Sequence, residues 1–89
     1  MGSNNVRETI REIIYNLVEL KKPINEIDDN ENILILGMDS ISILKVVTEL
    51  EDEYNIEFDD EDLNYDNLKS INSMIDCVEK YRRMGMEER

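Results

Sequence analysis

The hydrophobic residues near the start of the chain repeat at the spacing of an amphipathic helix. The repeat, at intervals of four and three, is carried by Val6, Ile10, Ile13, Leu17 and Leu20. Such spacing places apolar side chains on one helical face. Asn5, with Glu8 three residues later, resembles a capping box at the start of the helix. Lys21 and Lys22 suit the negative end of the helix, and Pro23 stops it.

The helical pattern is interrupted between residues 23 and 39. The stretch PINEIDDNEN is rich in turn-forming residues, and the apolar run ILIL (residues 33–36) is too short for its periodicity to be decisive. This run is either a buried strand or an apolar part of a loop over a helical core. Because the sequence offers no second strand to pair with it, we favour the loop. Loops of this length are uncommon and tend to be functional.

A second helix begins after Asp39, whose carboxylate is a good N-cap, and runs to about Tyr54. One set of its apolar residues has the spacing of a core stripe: Ile43, Val46, Val47, Leu50 and Tyr54. A neighbouring stripe consists of Ile41, Leu44 and Thr48. This second stripe is part of a wide core, is covered by the long loop, or is exposed for a partner.

The last third of the chain predicts a short helix and a longer one. Asn55 suits the left-handed end of the second helix, and the acidic stretch after it favours a short helical turn. Ser70 caps a last helix whose apolar positions are Ile71, Met74, Ile75, Val78 and Tyr81. The sequence thus predicts a single domain (residues 1–89) with a folded core at about 5–81 and a frayed tail at 82–89. Its class is all-α, a small four-helix bundle of three longer helices and one short one, with a long loop between helices 1 and 2.

Charge narrows the range of partners. The 89 residues carry a net charge of −12, and ten acidic residues but no basic one lie between Glu49 and Asp66. We therefore expect no nucleic-acid partner, since such binding draws on clustered Lys and Arg. An acidic run of this kind is either a solvated face or a docking surface for basic proteins. No apolar run approaches the length of a membrane span, so we expect no membrane insertion.

The chain has no histidine, which excludes Ser-His-Asp and Cys-His nucleophilic sites and any metal site that uses histidine. Cys77 is the only cysteine, so an intramolecular disulfide is impossible and a reduced, cytoplasmic protein is indicated. Its position beside the core face of the last helix suits a structural thiol. We expect no catalytic residue and no metal ligand.

A partial calcium-loop pattern leaves one alternative open. Asp28, Asn30, Asn32 and Asp39 occupy the first, third, fifth and twelfth places of an EF-hand-like loop. The sixth place, where the sharp turn requires glycine, is Ile33, and the last is not the bidentate glutamate. A calcium-binding or protein-interaction helical module therefore remains an alternative.

Two hydroxyl groups lie at the start of the second helix. Ser40 directly follows the capping Asp39, and Ser42 comes two residues later. Both could be ordinary first-turn residues, and spacing and composition alone do not separate them.

The run Leu36–Ile41, LGMDSI, resembles the L-G-x-D-S-[LIV] attachment motif of the phosphopantetheine-dependent carrier protein family. This family comprises acyl carrier proteins and the related peptidyl and D-alanyl carriers. The resemblance extends through residues 46–63, which are similar to the second helix of the family and the segment after it. It also includes the first helix and the last, from Ser70 to Tyr81, and so covers nearly the whole chain.

The resemblance implies that Ser40 is the attachment point of a covalent 4′-phosphopantetheine arm and that Asp39 belongs to the motif. A separate phosphopantetheinyl transferase would supply the arm from coenzyme A, and the arm would carry acyl groups as thioesters. We therefore expect an acyl carrier protein of fatty-acid, polyketide or related secondary-metabolite biosynthesis. An aminoacyl or peptidyl carrier of nonribosomal peptide synthesis, or a D-alanyl carrier, is the alternative.

The resemblance also gives the second stripe of the helix a role. Ile41, Leu44, Thr48 and Glu51 match positions that help to form the docking face of the family. Loading and downstream enzymes with basic docking patches are the implied partners, and we expect a monomer. Lys45 departs from the family pattern, which often has an acidic or neutral residue there. Asp59 stands where the family commonly has a proline, and residues 63–70 form a segment about two residues longer than the commonest versions. Together these departures point to a carrier dedicated to one pathway.

Overall fold

The computed structural model describes residues 5–87, and every regular element within that range is helical. The four α-helices are α1 (Val6–Leu17), α2 (Ser40–Tyr54), α3 (Tyr65–Leu68) and α4 (Ile71–Glu87). Short 3₁₀ turns lie at Ile24–Glu26, Ile33–Leu36 and Asp60–Asp62. The predicted all-α bundle, with three longer helices and one short one, is confirmed. None of the described helices is long and apolar enough to span a membrane.

The first helix ends about one turn earlier than the sequence predicts, and Val18 already has extended backbone. The N–H of Lys21 donates to the carbonyl of Leu36 at 2.8 Å, and the ammonium of Lys22 pairs with Glu31 at 2.8 Å. Both lysines therefore belong to the α1–α2 loop (residues 18–39) and bind later residues of the same loop, rather than the end of the helix. These tertiary contacts outweigh the weak attraction between a lysine and the negative end of the helix dipole.

One apolar core is shared by the helices and the loop. The helices contribute buried side chains at Val6, Ile10, Ile14, Val46, Val47, Leu50, Ile71, Met74 and Val78. The loop adds Ile27, Ile33 and Met38, each exposed by no more than 2%. The apolar run at Ile33–Leu36 is thus a single 3₁₀ turn on the core, as the preference for a loop over a strand predicted. Burial of these loop residues makes the loop part of the cooperative fold.

Arg11 fixes the first half of the loop against α1. Its guanidinium donates to the carbonyls of Ile24 at 2.7 Å and Ile27 at 2.6 Å, and to the carboxylate of Asp29 at 2.7 Å. Arg7 donates to the second carboxylate oxygen of Asp29 at 2.6 Å. The hydrogen bond from Arg11 is the largest cause that lowers the pKa of Asp29, and the bond from Arg7 adds to it. We call this cluster the Arg11 clamp.

The acidic segment after α2 is tied to α4 through Tyr81. Its hydroxyl accepts a hydrogen bond from the N–H of Asp59 at 2.9 Å and donates to Asp62. Its ring meets Phe58 edge to face, with centroids 5.1 Å apart. Burial of the phenol, aided by Asp62, raises the pKa of Tyr81 to about 12. The segment is therefore anchored despite its charge.

The last helix starts as predicted and ends later. The hydroxyl of Ser70 accepts a hydrogen bond from the N–H of Ser73 at 3.1 Å, which is the predicted cap. The helix continues past Tyr81 to Glu87, although the sequence predicts a frayed tail from residue 82. The guanidinium of Arg82 lies 5.1 Å from the centre of the Tyr54 ring, which gives the extra length a tertiary partner. Residues 88–89 of the predicted tail lie outside the described residues.

We expect Asp29→Asn to weaken the Arg11 clamp and to lower the free energy of unfolding by about 1–3 kcal/mol, because charged hydrogen bonds are lost. Since the folded state lowers the pKa of Asp29, this stabilisation is present above the ordinary aspartate pKa of about 3.9 and is lost as the pH falls through the folded-state pKa. The gap between wild type and variant should therefore close in acid. Urea unfolding followed by circular dichroism across this range measures it.

The matched control is Asp28→Asn, which makes the same change on the exposed neighbouring residue. Equal stability of Asp29→Asn and Asp28→Asn at neutral pH would show that the clamp does not hold the loop.

Candidate functional site

Ser40 is the first residue of α2, and its side chain is exposed. The preceding Asp39 is extended, and its carboxylate accepts a hydrogen bond from the N–H of Ser42 at 2.9 Å. The carbonyl of Asp39 also accepts the first hydrogen bond of the helix, from the N–H of Ile43 at 2.9 Å. The predicted N-cap is therefore present, and Ser40 lies exposed directly after it.

The two serines of the first turn have different environments. The hydrogen bond from the backbone of Ser42 is the largest cause that lowers the pKa of Asp39, and the side chain of Ser42 is the second. The backbone N–H of Ser42 is bound to the cap and its side chain is only partly exposed, whereas Ser40 is exposed. This difference separates the two hydroxyl groups that spacing alone left equivalent.

Gly37 makes the turn that leads into this cap. Its φ of 117° lies in the region that favours glycine. A Cβ at this position would lie 3.3 Å from the carbonyl oxygen of Glu19, at the start of the loop. The adjacent Met38 is 2% exposed and anchors the chain in the core just before Asp39. The motif therefore combines a turn, a core anchor and a cap around one exposed serine.

The predicted docking residues lie along α2 in two groups. Ile41 is 66% exposed, Leu44 is 59% exposed, and Thr48 is also exposed. Neither the loop nor the core therefore covers this stripe. The carboxylate of Glu51 instead accepts a hydrogen bond from the N–H of Phe58 at 2.9 Å. Glu51 thus supports the segment after α2, a role that the sequence did not predict.

Lys45 lies exposed on the same helix. Its ammonium forms none of the ion pairs found among the described residues. It is also the only basic residue between Asp39 and Asp66. The departure from the family pattern is therefore a solvent-facing cation on an otherwise acidic surface.

A cleft of about 300 Å³ opens beside Ser40. We call it the Ser40 cleft. Its apolar lining is contributed by the loop, α2 and the region around α3: Leu34, Ile43, Leu44, Val47, Leu63 and Leu68. Ser40, Asn64 and Tyr65 also line it. A larger hollow of about 750 Å³ lies at the end of α1 and contains none of the motif residues.

Sequence reasoning missed the Ser40 cleft and the residues that bridge it. The side-chain amide of Asn32 donates to the hydroxyl of Tyr65 at 2.6 Å, and Tyr65 is 57% exposed. The two residues are far apart along the chain, so no local pattern signals their contact. Only the fold brings the loop and α3 to the same edge.

The partial calcium pattern does not form a common site. Asn32 bonds with Leu34 and Tyr65, the amide oxygen of Asn30 accepts from Asn72, and Asp39 caps α2. Across residues 5–87, no group of three or more acidic, cysteine or histidine side chains could hold a metal ion. The thiol of Cys77 is buried, and burial raises its pKa. Its placement matches the predicted structural thiol.

Comparison with known proteins identifies the family. A family model described as the phosphopantetheine attachment site matches residues 6–78 and therefore spans α1 to α3, the first part of α4, the motif and the cleft. The chain belongs to the phosphopantetheine-dependent carrier protein family. The predicted resemblance is thereby confirmed, and a covalent 4′-phosphopantetheine on a serine is the cofactor of this carrier class.

The relatives of this carrier chain include two named kinds. An acyl carrier protein of Buchnera aphidicola subsp. Baizongia pistaciae is 34% identical over 79 residues, which cover 86% of this chain and 95% of the relative. An aminoacyl carrier protein of Agrobacterium fabrum is 31% identical over 70 residues, which cover 79% and 84%. Sequence similarity therefore spans acyl and aminoacyl carriers.

A solved structure shares the fold of this carrier. The chain matches one chain of the crystal structure of an engineered Bradyrhizobium japonicum glycine:[carrier protein] ligase complexed with carrier protein from Agrobacterium tumefaciens and ATP. The TM-score is 0.79 and the identity 29%, with 85% of this chain and 99% of that chain covered. The four-helix arrangement described above is therefore that of a carrier protein.

The turn before the cap generates a prediction about stability. We expect Gly37→Ala to lower the free energy of unfolding by about 1–2 kcal/mol, because a side chain is strained in the left-handed region. The close carbonyl of Glu19 adds to this cost. Thermal and urea denaturation measure the change. Gly85→Ala in α4 is the matched control and should not destabilise the protein, because alanine favours a helix over glycine; an equal loss in both variants would contradict the role of the turn.

Proposed function

We propose that this protein is an acyl carrier protein whose 4′-phosphopantetheine arm is attached at Ser40. It carries acyl intermediates as thioesters in fatty-acid, polyketide or related secondary-metabolite biosynthesis. The observation that supports this most is the exposed Ser40 beside an apolar cleft. Ser42, the next serine along the helix, is only partly exposed, and its N–H is bound to the carboxylate of Asp39.

The residues around Ser40 suit the arm. The start of a 15-residue helix favours a phosphodiester by about 0.3–1 kcal/mol, although the charge of Asp39 offsets part of this. When bound, the arm supplies a thiol that holds the acyl group as a thioester. The chain itself supplies the attachment oxygen and no histidine base. We therefore assign proton removal to a separate phosphopantetheinyl transferase.

The lining of the Ser40 cleft favours an acyl cargo. Six apolar side chains line it, and burying hydrocarbon there gains about 0.8 kcal/mol for each methylene group. An aminoacyl group carries an ammonium that would lose hydration in the same place. An aminoacyl, peptidyl or D-alanyl carrier is the second candidate, because the relative from Agrobacterium fabrum is an aminoacyl carrier protein.

We propose that the exposed stripe of α2 is the docking face for the transferase and for loading and downstream enzymes. Ile41, Leu44 and Thr48 provide the apolar part, and the acidic residues of the helix attract basic patches on the partner. Glu51 contributes charge here while its carboxylate supports the N–H of Phe58. Lys45 would favour partners that place a carboxylate opposite it.

Incubation with coenzyme A and a broad-specificity phosphopantetheinyl transferase should add the mass of one phosphopantetheine to the protein. Ser40→Ala should gain no mass, because the attachment oxygen is removed. Intact-mass spectrometry reads both results directly. Ser42→Ala is the matched control and should be modified like the wild type. Undiminished modification of Ser40→Ala, with an active transferase, would contradict the attachment of the arm at Ser40.

Leu44→Glu should slow modification by this transferase about fivefold or more, since replacing an anchor of an interface typically costs over about 1 kcal/mol. The melting temperature should change little, because Leu44 is 59% exposed. Initial rates of mass gain and a thermal melt measure the two effects. Tyr15→Glu adds the same charge at an exposed residue of α1. If both variants were slowed equally, the effect would come from net charge and not from a docking face.

A further inference from the structure

A groove of about 360 Å³ lies between the end of α1 and the first half of α2. We call it the α1–α2 groove, and its lining residues are Leu17, Ile41, Leu44, Lys45, Thr48 and Glu49. It includes the exposed stripe of α2 and adds Leu17 from α1, a partly buried residue that packs against the core. The groove therefore combines an apolar lining, contributed by two helices, with one cation and one carboxylate.

The two charged residues of the groove have no ion-pair partner among the described residues. Lys45 and Glu49 are both exposed, and neither takes part in the five salt bridges found there. They lie four residues apart on α2 with the lysine first, which is the less favourable order for a pair within a helix. Both charges are therefore available to a protein that docks on the groove.

The charges along α2 change sign with distance from Ser40. Lys45 lies five residues after Ser40, and exposed carboxylates follow at Glu49, Asp52 and Glu53. At 1.5 Å per residue, about 6 Å of helix axis separates the cation from the first carboxylate. A partner that covers this face therefore meets positive charge near Ser40 and negative charge beyond it. Opposed like charges are unfavourable, and matched opposite charges fix the register of an interface.

We propose that Lys45 is a specificity determinant for docking at the α1–α2 groove. It disfavours a partner whose surface is basic throughout, and unfavourable contacts of this kind are an effective source of specificity. It selects an enzyme that presents an apolar side chain to the groove, a carboxylate to Lys45 and basic side chains to the carboxylates farther along α2. This inference rests on the proposed function, because the docked enzymes are those that modify or load Ser40.

A broad-specificity phosphopantetheinyl transferase with a basic docking patch is the probe for the unfavourable contact. Lys45→Gln should raise kcat/KM for modification up to about fivefold, the effect of one exposed charge pair, and Lys45→Glu should raise it further. Initial rates of mass gain measure both changes, which should shrink at about 0.5 M salt because exposed charges are screened. The melting temperature should change little, since Lys45 is exposed.

The matched control is Arg83→Glu, which makes a comparable charge reversal at an exposed residue of α4 that does not line the groove. This variant should be modified at about the rate of the wild type. A faster rate in Lys45→Glu but not in Arg83→Glu would therefore come from the position of the charge and not from the net charge of the protein.

Charge exchange on the transferase tests the favourable contact. Basic residues of its docking patch are changed singly to glutamate, and each transferase variant is assayed with wild type, Lys45→Glu and Arg83→Glu. At least one transferase variant should modify the wild type faster than Lys45→Glu, which reverses the order found with the unchanged transferase. Because such a cycle subtracts the effect of each single change, the reversal measures the coupling between two charges.

Failure of this inference is distinguishable from failure of the proposed function. If no protein gains mass while the transferase is active, the proposed function fails and the role of Lys45 fails with it. If every protein is modified but Lys45→Glu is no faster than Arg83→Glu, the role of Lys45 is overturned and the carrier function stands. The same conclusion follows if no transferase variant reverses the order.

Discussion

The α1–α2 loop has to be held against the helices before the chain can present Ser40, and Arg11 fixes its first half. An irregular segment has backbone carbonyls with no partner in a helix or sheet, and each one buried without a partner is costly. The guanidinium of Arg11 satisfies the carbonyls of Ile24 and Ile27 and pairs with Asp29. Its planar fork allows one side chain to serve three acceptors, which an ammonium would do less well.

The held loop then determines the geometry of the site. It buries Ile33 and Met38 in the same core as the helices, so the chain reaches α2 in one conformation. Gly37 makes the turn, and the carboxylate of Asp39 accepts a hydrogen bond from the N–H of Ser42. Ser40 is exposed because the buried Met38 and the capping Asp39 fix the chain just before it. The same loop forms one wall of the apolar cleft beside it, so the exposed serine and the cleft depend on one segment.

The sequence predicts the features that depend on near neighbours. Apolar spacing located α1, α2 and α4, and the caps at Asn5, Asp39 and Ser70 were visible because each acts within three residues. Features that depend on distant partners were missed or placed wrongly. The early end of α1, the extension of α4 to Glu87, the structural role of Glu51 and the bridge from Asn32 to Tyr65 all follow from contacts that the fold creates. The LGMDSI motif indicates the proposed attachment site through family resemblance, whereas the difference in exposure between Ser40 and the nearby Ser42 became visible only in the structure.

The central claim is that the arm is attached to Ser40, which is exposed at the start of α2, and not to Ser42, which is only partly exposed and whose N–H is bound to Asp39. Peptide fragmentation of the transferase-treated wild-type protein tests it most directly, because the fragments of residues 36–47 locate the added group on a single side chain. We expect the whole of the phosphopantetheine mass on Ser40 and none on Ser42. Modification of Ser42, or a mixture of the two serines, would contradict it.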